Sequence, residues 1–216
     1  MKRVLVMLIA VLSMTSFAQA AKPVSLFNGK TLAGWVQVPA NSWKVTNGVM
    51  ASTGAKRGEI YTVGNYSHYR LLFTVRHVAG GHYASALVFG FPPPPLKDAL
   101  GAVQFGLPNG YHWDYRPGHN NSGSKFFTVV KNPGFSKSVF SRVEILVNAS
   151  TGIARMAVAQ PVGTKAVEVL DFRDPTAGRT GPIAFQIHQS GTFDEYKDVS
   201  VEVNPTGGLV TTTKPQ

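Results

Sequence analysis

Apolar and polar residues alternate in short runs along most of the chain. Residues 69–76 place Tyr69, Leu71, Phe73 and Val75 on one side and mostly polar residues on the other. Residues 142–148 alternate in the same way, with Val143, Ile145 and Val147 on one side. A period of two predicts β-strands with one buried face. Residues 84–91 are apolar on both faces, which is typical of a central strand in a packed sheet.

Turn residues divide these runs into hairpins. Asn47-Gly48 separates Trp43-Lys44-Val45-Thr46 from Val49-Met50-Ala51, and Asn-Gly is a strong two-residue hairpin signal because both residues tolerate positive φ. Trp43 is therefore predicted to face the core. No apolar 3.6-residue period extends over three turns, so helix should be scarce. Roughly a dozen strands predict an all-β domain over residues 21–204, a sandwich or jelly roll of two antiparallel sheets, followed by a flexible tail over 205–216.

The first twenty residues have the pattern of a cleavable secretory signal. Lys2-Arg3 precede an apolar run over residues 4–12, and Ala18-Gln19-Ala20 forms a small-residue cleavage pattern. The apolar run is too short to span a bilayer, so no stable membrane insertion is expected after cleavage. We predict a cut after Ala20 and a periplasmic or secreted protein. Mass spectrometry of the exported protein should show Ala21 as its first residue; a mature species that retains residues 1–20 would contradict this prediction.

The composition narrows the possible chemistry. The 216 residues include no cysteine, which excludes disulfides, thiolate metal sites and a cysteine nucleophile. A domain of this size can bury a core without disulfides. The formal net charge is +10, but Lys and Arg never form a run of three, and export would remove most nucleic-acid partners. We therefore expect no nucleic-acid partner, and a dispersed positive surface that suits acidic glycans or the cell envelope.

Residues 104–118 carry the densest group of candidate functional side chains. They begin as a strand, turn at Pro108-Asn109-Gly110, and continue as a second strand. Alternation after the turn places His112, Asp114 and Arg116 on one face and Tyr111, Trp113 and Tyr115 on the other. Three ionisable groups on one face are costly to bury unless they are paired. The stretch therefore predicts either a functional site or a solvated hairpin face over an aromatic core.

Three motifs resemble a known family. They are Phe27-Asn28-Gly29-Lys30 with Leu32, Gly34 and Trp35; the Trp43-x-Val-x-Asn-Gly hairpin; and Gly181-Pro182-Ile183-Ala184-Phe185-Gln186-Ile187-His188. In this order they resemble the 3-keto-disaccharide hydrolase-like family over nearly the whole chain that follows the predicted signal. The resemblance implies a concanavalin-like jelly-roll sandwich that binds sugar on its concave sheet, in exported proteins of glycan-consuming bacteria.

The chain departs from the family in its middle strand. The family usually has Glu-x-Gln-x-x-Asp there, and this chain has Ala102-Val103-Gln104-Phe105-Gly106-Leu107. If Gln104 corresponds to the family's Gln, Ala102 and Leu107 replace the two acids. If Gln104 corresponds to the Glu, an amide replaces an acid. The usual acid pair is missing in both alignments, so Asp114 would have to supply a carboxylate from another position.

These observations lead to three hypotheses. The first is an exported glycan-active hydrolase that acts at a glycosidic bond, such as that of a 3-keto-glycoside, with Asp114 and His188 as catalytic acid and base. The second is a non-catalytic carbohydrate-binding module. In both, the predicted sugar-binding residues are Gln104, His112, Trp113, Arg116 and Gln186. The third is an envelope or adhesion protein of the same fold. Convergence of Asp114, Arg116, Gln104 and His188 in one pocket would favour the first two.

No cofactor and no metal are predicted. The histidines show no metal-ligand spacing on a recognisable element, and the chain has no Gly-rich phosphate loop. A Gly-x-Ser-x-Gly nucleophile elbow is also missing from the sequence. The family resemblance implies that the partner is a carbohydrate, as substrate or as ligand.

Overall fold

The computed structural model describes residues 22–91, 99–121 and 123–209. The described residues form fifteen strands: β1 (Val24–Ser25), β2 (Trp35–Val38), β3 (Trp43–Thr46), β4 (Val49–Ser52), β5 (Gly58–Thr62), β6 (His68–Ala79), β7 (Ser85–Val88), β8 (Val103–Gly106), β9 (Tyr111–Asp114), β10 (Phe127–Val129), β11 (Ser141–Asn148), β12 (Ile153–Ala159), β13 (Val167–Arg173), β14 (Ala184–Ile187) and β15 (Phe193–Val203). Two single-turn 3-10 helices, Ala99–Gly101 and Pro175–Ala177, complete the regular structure. The predicted signal and the proline run 92–95 lie outside the described residues.

The strands form two antiparallel sheets. One has nine strands in the order β10-β13-β12-β11-β6-β15-β4-β3, with β1 also paired to β15. The other has six strands in the order β2-β5-β14-β7-β8-β9. The predicted all-β jelly-roll sandwich is therefore confirmed. Within the described residues, no helix is long and apolar enough to cross a membrane.

The core lies between the two sheets and is rich in aromatic rings. Phe73 of the nine-stranded sheet packs 5.2 Å from Phe185 of the six-stranded sheet, and Phe185 stacks on Tyr196 at 4.1 Å. Trp43 is only 3% exposed and lies 5.8 Å from Tyr196, which confirms its predicted place in the core. The inward-facing residues predicted from alternation in β6 and β11 are all buried, because one face of each strand meets the opposite sheet.

The start of the predicted flexible tail is docked on the protein. Arg70 Nη2 donates a hydrogen bond to the Gly208 carbonyl oxygen at 2.9 Å. Leu209 packs against an apolar patch on the outer face of the nine-stranded sheet that contains Ala157 and Ala159. Residues 205–209 thus contact Arg70 and the alanine patch, and the flexibility of the tail 205–216 stays a prediction. Residues 210–216 lie outside the described part.

Candidate functional site

The pairing of β8 with β9 decides which side chains face the site. Val103 pairs with Asp114, Phe105 with His112, and Gln104 with Trp113. Directly opposed residues of an antiparallel pair lie on the same face of the sheet. Since Val103 and Phe105 belong to the core between the sheets, Asp114 and His112 are directed to the core side. Gln104 and Trp113 are therefore on the outer face of the six-stranded sheet.

Part of this outer face is closed and part is open. The 3-10 segment with Ala99 and Leu100 packs on the apolar side chains of Tyr61, Leu87 and Ala184. Beside it, a groove of about 430 Å³ lies on the outer face and continues past the edge strand β9 to His112 and to Val129 of β10. The groove is lined by His82, Tyr83, Gln104, Asn109, Gly110, Tyr111, His112, Trp113, Tyr115, Val129, Asn132 and His188. A groove of this size with convergent polar and aromatic side chains is the candidate functional site.

Four rings form a continuous row in the groove, which we call the aromatic row: His188, His82, Tyr83 and Tyr111. The His188 and His82 ring centroids are 3.8 Å apart. His82 and Tyr83 meet edge to face at 6.3 Å, and Tyr83 stacks on Tyr111 at 4.7 Å. Gly106 makes the last contact possible, because a Cβ there would meet Tyr83 Cε2 at 2.4 Å and Tyr111 Cβ at 2.6 Å.

The approach of two loops brings His82 to His188. Gly80 has φ +102°, and a Cβ on it would meet the Gly191 carbonyl oxygen at 2.2 Å. This glycine thus lets the β6–β7 loop touch the β14–β15 loop, which follows His188. Lys137 Nζ donates to the His82 carbonyl oxygen at 2.6 Å and holds the first loop from the other side. The two imidazoles are therefore positioned by backbone packing around them.

An amide pair forms part of the groove floor. Gln104 Nε2 donates to Gln186 Oε1 at 2.6 Å, and both side chains are almost fully buried. Glu59 is the register partner of Gln186 and is 4% exposed. Gln104 lines the groove and its Nε2 is engaged, so its Oε1 is the atom it offers to a ligand. A carboxylate and two amides therefore lie side by side beneath the groove.

Tyr83 is the groove hydroxyl with the clearest electrostatic perturbation. Burial, with smaller contributions from Tyr115 and Tyr111, raises the pKa of Tyr83 to about 12. The phenol therefore stays protonated at any physiological pH, and it can act as a hydrogen-bond donor to an oxygen that gains negative charge.

The structure brings together some of the residues predicted for the site. Gln104, His112, Trp113 and His188 line the groove, and Gln186 lies behind Gln104. The His112 ring also stacks on Phe127 at 4.2 Å, so His112 borders the groove at the sheet edge.

Asp114 and Arg116 lie apart from the groove, so their predicted catalytic and sugar-binding roles stay predictions that this placement does not support. Asp114 is fully buried on the core side, where Arg116 Nη2 donates to its Oδ2 at 2.7 Å. The same Nη2 donates to Asp174 Oδ2 at 2.8 Å. Burial lowers the pKa of Arg116, but the bonds to both carboxylates outweigh burial and raise the pKa overall. Asp114 thus serves a buried ion cluster, and neither its pairing with His188 nor sugar contact by Arg116 fits this geometry.

Sequence reasoning missed His82, Tyr83 and Asn109 as groove residues. His82 is in a loop after two glycines, where no period assigns it to a face. The sequence Pro108-Asn109-Gly110 predicts a turn. In the structure, Asn109 Nδ2 also donates to the Phe135 carbonyl oxygen at 2.7 Å, and the Phe135 N–H donates to Asn109 Oδ1 at 2.8 Å. No local sequence signal could have linked these residues to His188. In the described ranges, no three His, Asp or Glu side chains are grouped so as to hold a metal ion.

Comparison with known proteins shows relatives of the same fold. A putative glycosyl hydrolase from Parabacteroides distasonis matches with a TM-score of 0.61 at 17% identity, over 89% of this chain and 98% of that one. A Bacillus licheniformis β-glucanase matches with a TM-score of 0.55 at 11% identity, over 87% and 100%. A carbohydrate-binding module from Bacillus subtilis gives 0.54 at 14%, over 78% and 95%. At these identities the structural matches show the fold alone.

Comparison of the sequence with models of protein families is more specific than the structural matches. No curated protein sequence matches the chain. The family model described as a 3-keto-alpha-glucoside-1,2-lyase-like domain matches residues 22–202, which is most of the chain. This match confirms the resemblance found from the Phe27–Lys30, Trp43 and His188 motifs. The chain belongs to the 3-keto-alpha-glucoside-1,2-lyase-like family.

Proposed function

We propose that the groove binds a carbohydrate and that the protein cleaves the glycosidic bond of a 3-keto-glycoside by elimination, with His188 as the base. The observation that carries this proposal is the position of His188, which lies in the groove against His82 in a chain of this family. We also propose that the protein acts outside the cytoplasm, which rests on the residue pattern of positions 1–20.

The chemistry needs a base, a donor and a proton for the leaving group. A ketone at C3 of the sugar acidifies the hydrogen at C2, which the base removes. The C2–H electron pair forms the C1=C2 double bond, and the C1–O bond breaks towards the departing sugar, which takes up a proton. In the transition state, negative charge develops on the C3 oxygen, where a fixed hydrogen-bond donor is most effective.

The groove residues supply the base and the donor among these requirements, and the leaving-group proton comes from solvent. His188 is half-buried, and an imidazole is the side chain best suited to proton transfer near neutral pH. The protonated Tyr83 hydroxyl is a donor for the C3 oxygen. Gln104 Oε1 accepts from a sugar hydroxyl, and the rings of Tyr111 and Trp113 give the apolar surfaces on which pyranose faces pack.

A non-catalytic carbohydrate-binding module is the second candidate. One observation favours it: among the described residues that line the groove there is no carboxylate, and Asp114 is enclosed on the core side. Glycosidases that hydrolyse by the usual route need two carboxylates flanking the bond. The lack of a carboxylate among these groove residues argues against ordinary glycoside hydrolysis more strongly than against elimination. Elimination from a keto-sugar needs only one base.

A product assay separates the two candidates. The purified protein is incubated with a 3-keto-disaccharide and, in parallel, with the unoxidised disaccharide, and products are followed by mass spectrometry. The proposal predicts release of a monosaccharide and an unsaturated keto-sugar, without incorporation of solvent oxygen in the first step, and no cleavage of the unoxidised sugar. Saturable binding without any cleavage would establish the binding module instead.

Trp113→Ala should weaken sugar binding without unfolding the protein. Trp113 is half-buried on the groove face, and its Nε1 donates to Asn120 Oδ1 at 3.3 Å at the rim. Loss of the aromatic contact surface should cost about 1.4 kcal/mol of binding free energy. The dissociation constant should therefore rise roughly tenfold. Isothermal titration calorimetry measures the change. Phe193→Ala, which removes an exposed aromatic side chain outside the groove, is the control and should leave the affinity unchanged.

A further inference from the structure

A second pocket lies on the opposite sheet, around a buried arginine. Arg142 in β11 is 2% exposed and faces outward from the nine-stranded sheet, where its side chain borders a pocket of about 450 Å³. The pocket wall is formed by the turn Phe27–Gly29, by Gly48 of the β3–β4 hairpin, and by Asp198 and Ser200 of β15. The Phe27-Asn28-Gly29 motif therefore lines this pocket and takes no part in the groove.

Arg142 differs from the other buried arginines in its partners. Arg70 is paired with Glu144 and Glu202, and Arg116 with two aspartates. Within the described residues Arg142 forms no ion pair. Its two hydrogen bonds both come from Nη1, which donates to the Asp198 carbonyl oxygen at 2.9 Å and to Thr74 Oγ1 at 3.4 Å. Its Nε is buried and has no hydrogen-bond partner in the described chain.

A buried guanidinium without an anion is energetically unfavourable. Removing a charge from water costs free energy that only a counter-charge and full hydrogen bonding offset. Burial accordingly lowers the pKa of Arg142, and the nearby charge of Asp198 compensates only in part. Asp198 itself is exposed at the pocket rim, and its backbone, not its carboxylate, bonds to Arg142. The pocket therefore has an unneutralised positive charge at its base.

Arg142 has one nitrogen left for a ligand in the pocket. Nη1 is occupied by protein oxygens and Nε is buried, so the available atom is Nη2. Its N–H groups can donate a charge-assisted hydrogen bond to an anionic oxygen such as that of a carboxylate.

We propose that this pocket is a carboxylate-binding site in which Arg142 holds the ligand through Nη2. The site is independent of the groove and of the proposed elimination reaction. Its carboxylate belongs either to a small free organic acid or to the uronic-acid unit of an acidic glycan, and the two sources are separated by experiment.

Binding is measured by NMR titration of the purified protein at constant ionic strength. The probes are sodium acetate, sodium glucuronate, sodium sulfate and sodium chloride, with glucose as the neutral sugar. We expect saturable shifts for residues around the pocket with acetate or glucuronate, and none with chloride or glucose. Binding of glucuronate but not acetate identifies a uronic acid as the ligand, and binding of both with similar affinity identifies a small carboxylate. Shifts with sulfate alone would overturn the carboxylate assignment.

Variants test the role of Arg142. Arg142→Gln should weaken carboxylate binding at least ~10-fold, as expected for the loss of a charge-assisted hydrogen bond at the base of the pocket. Arg173→Gln removes the same charge from an exposed position and should leave binding unchanged. Asp198→Asn keeps Arg142 and removes the acidic charge at the rim, so it should tighten binding several-fold. Equal binding by wild type and Arg142→Gln would overturn the proposal. If Arg142→Gln does not fold, unchanged binding in Asp198→Asn would overturn it.

Discussion

His188→Ala should lower turnover of a 3-keto-glycoside by ~10²–10⁴, the usual effect of losing a positioned acid or base. The loss should fall mainly on kcat, because the amide pair and the aromatic rings still hold the sugar. The melting temperature should change little, since His188 is half-buried and its principal ring contact is the exposed His82. Steady-state kinetics and a thermal melt of the same preparations measure both quantities.

Two further measurements distinguish a catalytic base from a structural histidine. The acid limb of the pH–rate profile should disappear in His188→Ala, because the group whose deprotonation produces that limb is gone. His82→Ala should lower the rate less, since His82 positions the His188 ring by stacking at 3.8 Å. His68→Ala, at the start of β6 outside the groove, is the matched control. Normal turnover by His188→Ala would exclude His188 as the base.

Arg116→Met should destabilise the protein by ~3–5 kcal/mol, because it breaks a buried ion cluster by removing the arginine that bonds both carboxylates. Methionine approximates the length of the aliphatic stem, so the main loss is electrostatic. Asp114 and Asp174 would remain, both almost fully buried. The loss of the cation contacts with Phe172 at 5.4 Å and Phe126 at 5.8 Å adds to the effect. Urea unfolding at neutral pH measures the free energy.

The pH dependence of this loss identifies its cause. Burial raises the pKa of Asp174, but hydrogen bonds from Thr176 and Arg116 outweigh burial and hold the folded-state pKa below 3.8. When the pKa of a carboxyl group is lower in the folded than in the unfolded state, the group stabilises the fold at pH values above its unfolded-state pKa. This stabilisation is lost as the pH falls through the folded-state pKa. The difference in unfolding free energy between wild type and Arg116→Met should therefore be largest near neutral pH and should decrease below about pH 4.

A matched surface substitution provides the control. Arg173 pairs with Asp171 at 2.8 Å, but its side chain is mostly exposed. Arg173→Met should cost less than about 1 kcal/mol, as is usual for surface ion pairs. Equal unfolding free energies for Arg116→Met and Arg173→Met would show that the buried cluster does not stabilise the fold. In that case a functional role for Asp114 would need to be tested again.

Much of the fold could be predicted because each strand carries its own pattern. The alternating runs 69–76 and 142–148 lie within β6 and β11, and the Asn47-Gly48 turn joins β3 and β4 as expected. Strand ends were less certain, since pairing with a neighbour extends or shortens a strand. The predicted run 84–91 is reduced to Ser85–Val88 in β7, while the run 69–76 lengthens to His68–Ala79 in β6.

Only those site residues that belong to a family motif or to a recognisable strand could be predicted from the sequence. Gln186 and His188 were found through the C-terminal family motif, and Gln104 through the middle strand. Tyr83 was missed because it follows a loop of two glycines and a histidine, where the chain has no strand period. The contact of that loop with the one after His188 depends on the absence of side chains at Gly80 and Gly191, so it exists only in the folded protein.

The sequence by itself determined that this chain is an all-β sandwich, because periodicity and turn residues act over a few positions. It also determined that Asp114 and Trp113 lie on opposite faces of β9. It could not determine which of these faces meets the groove, since alternation is symmetric with respect to the two sides of a strand. Only the tertiary structure decided this: Asp114 lies opposite Val103, whose side chain is buried between the sheets, and Trp113 lies opposite Gln104 on the outer face.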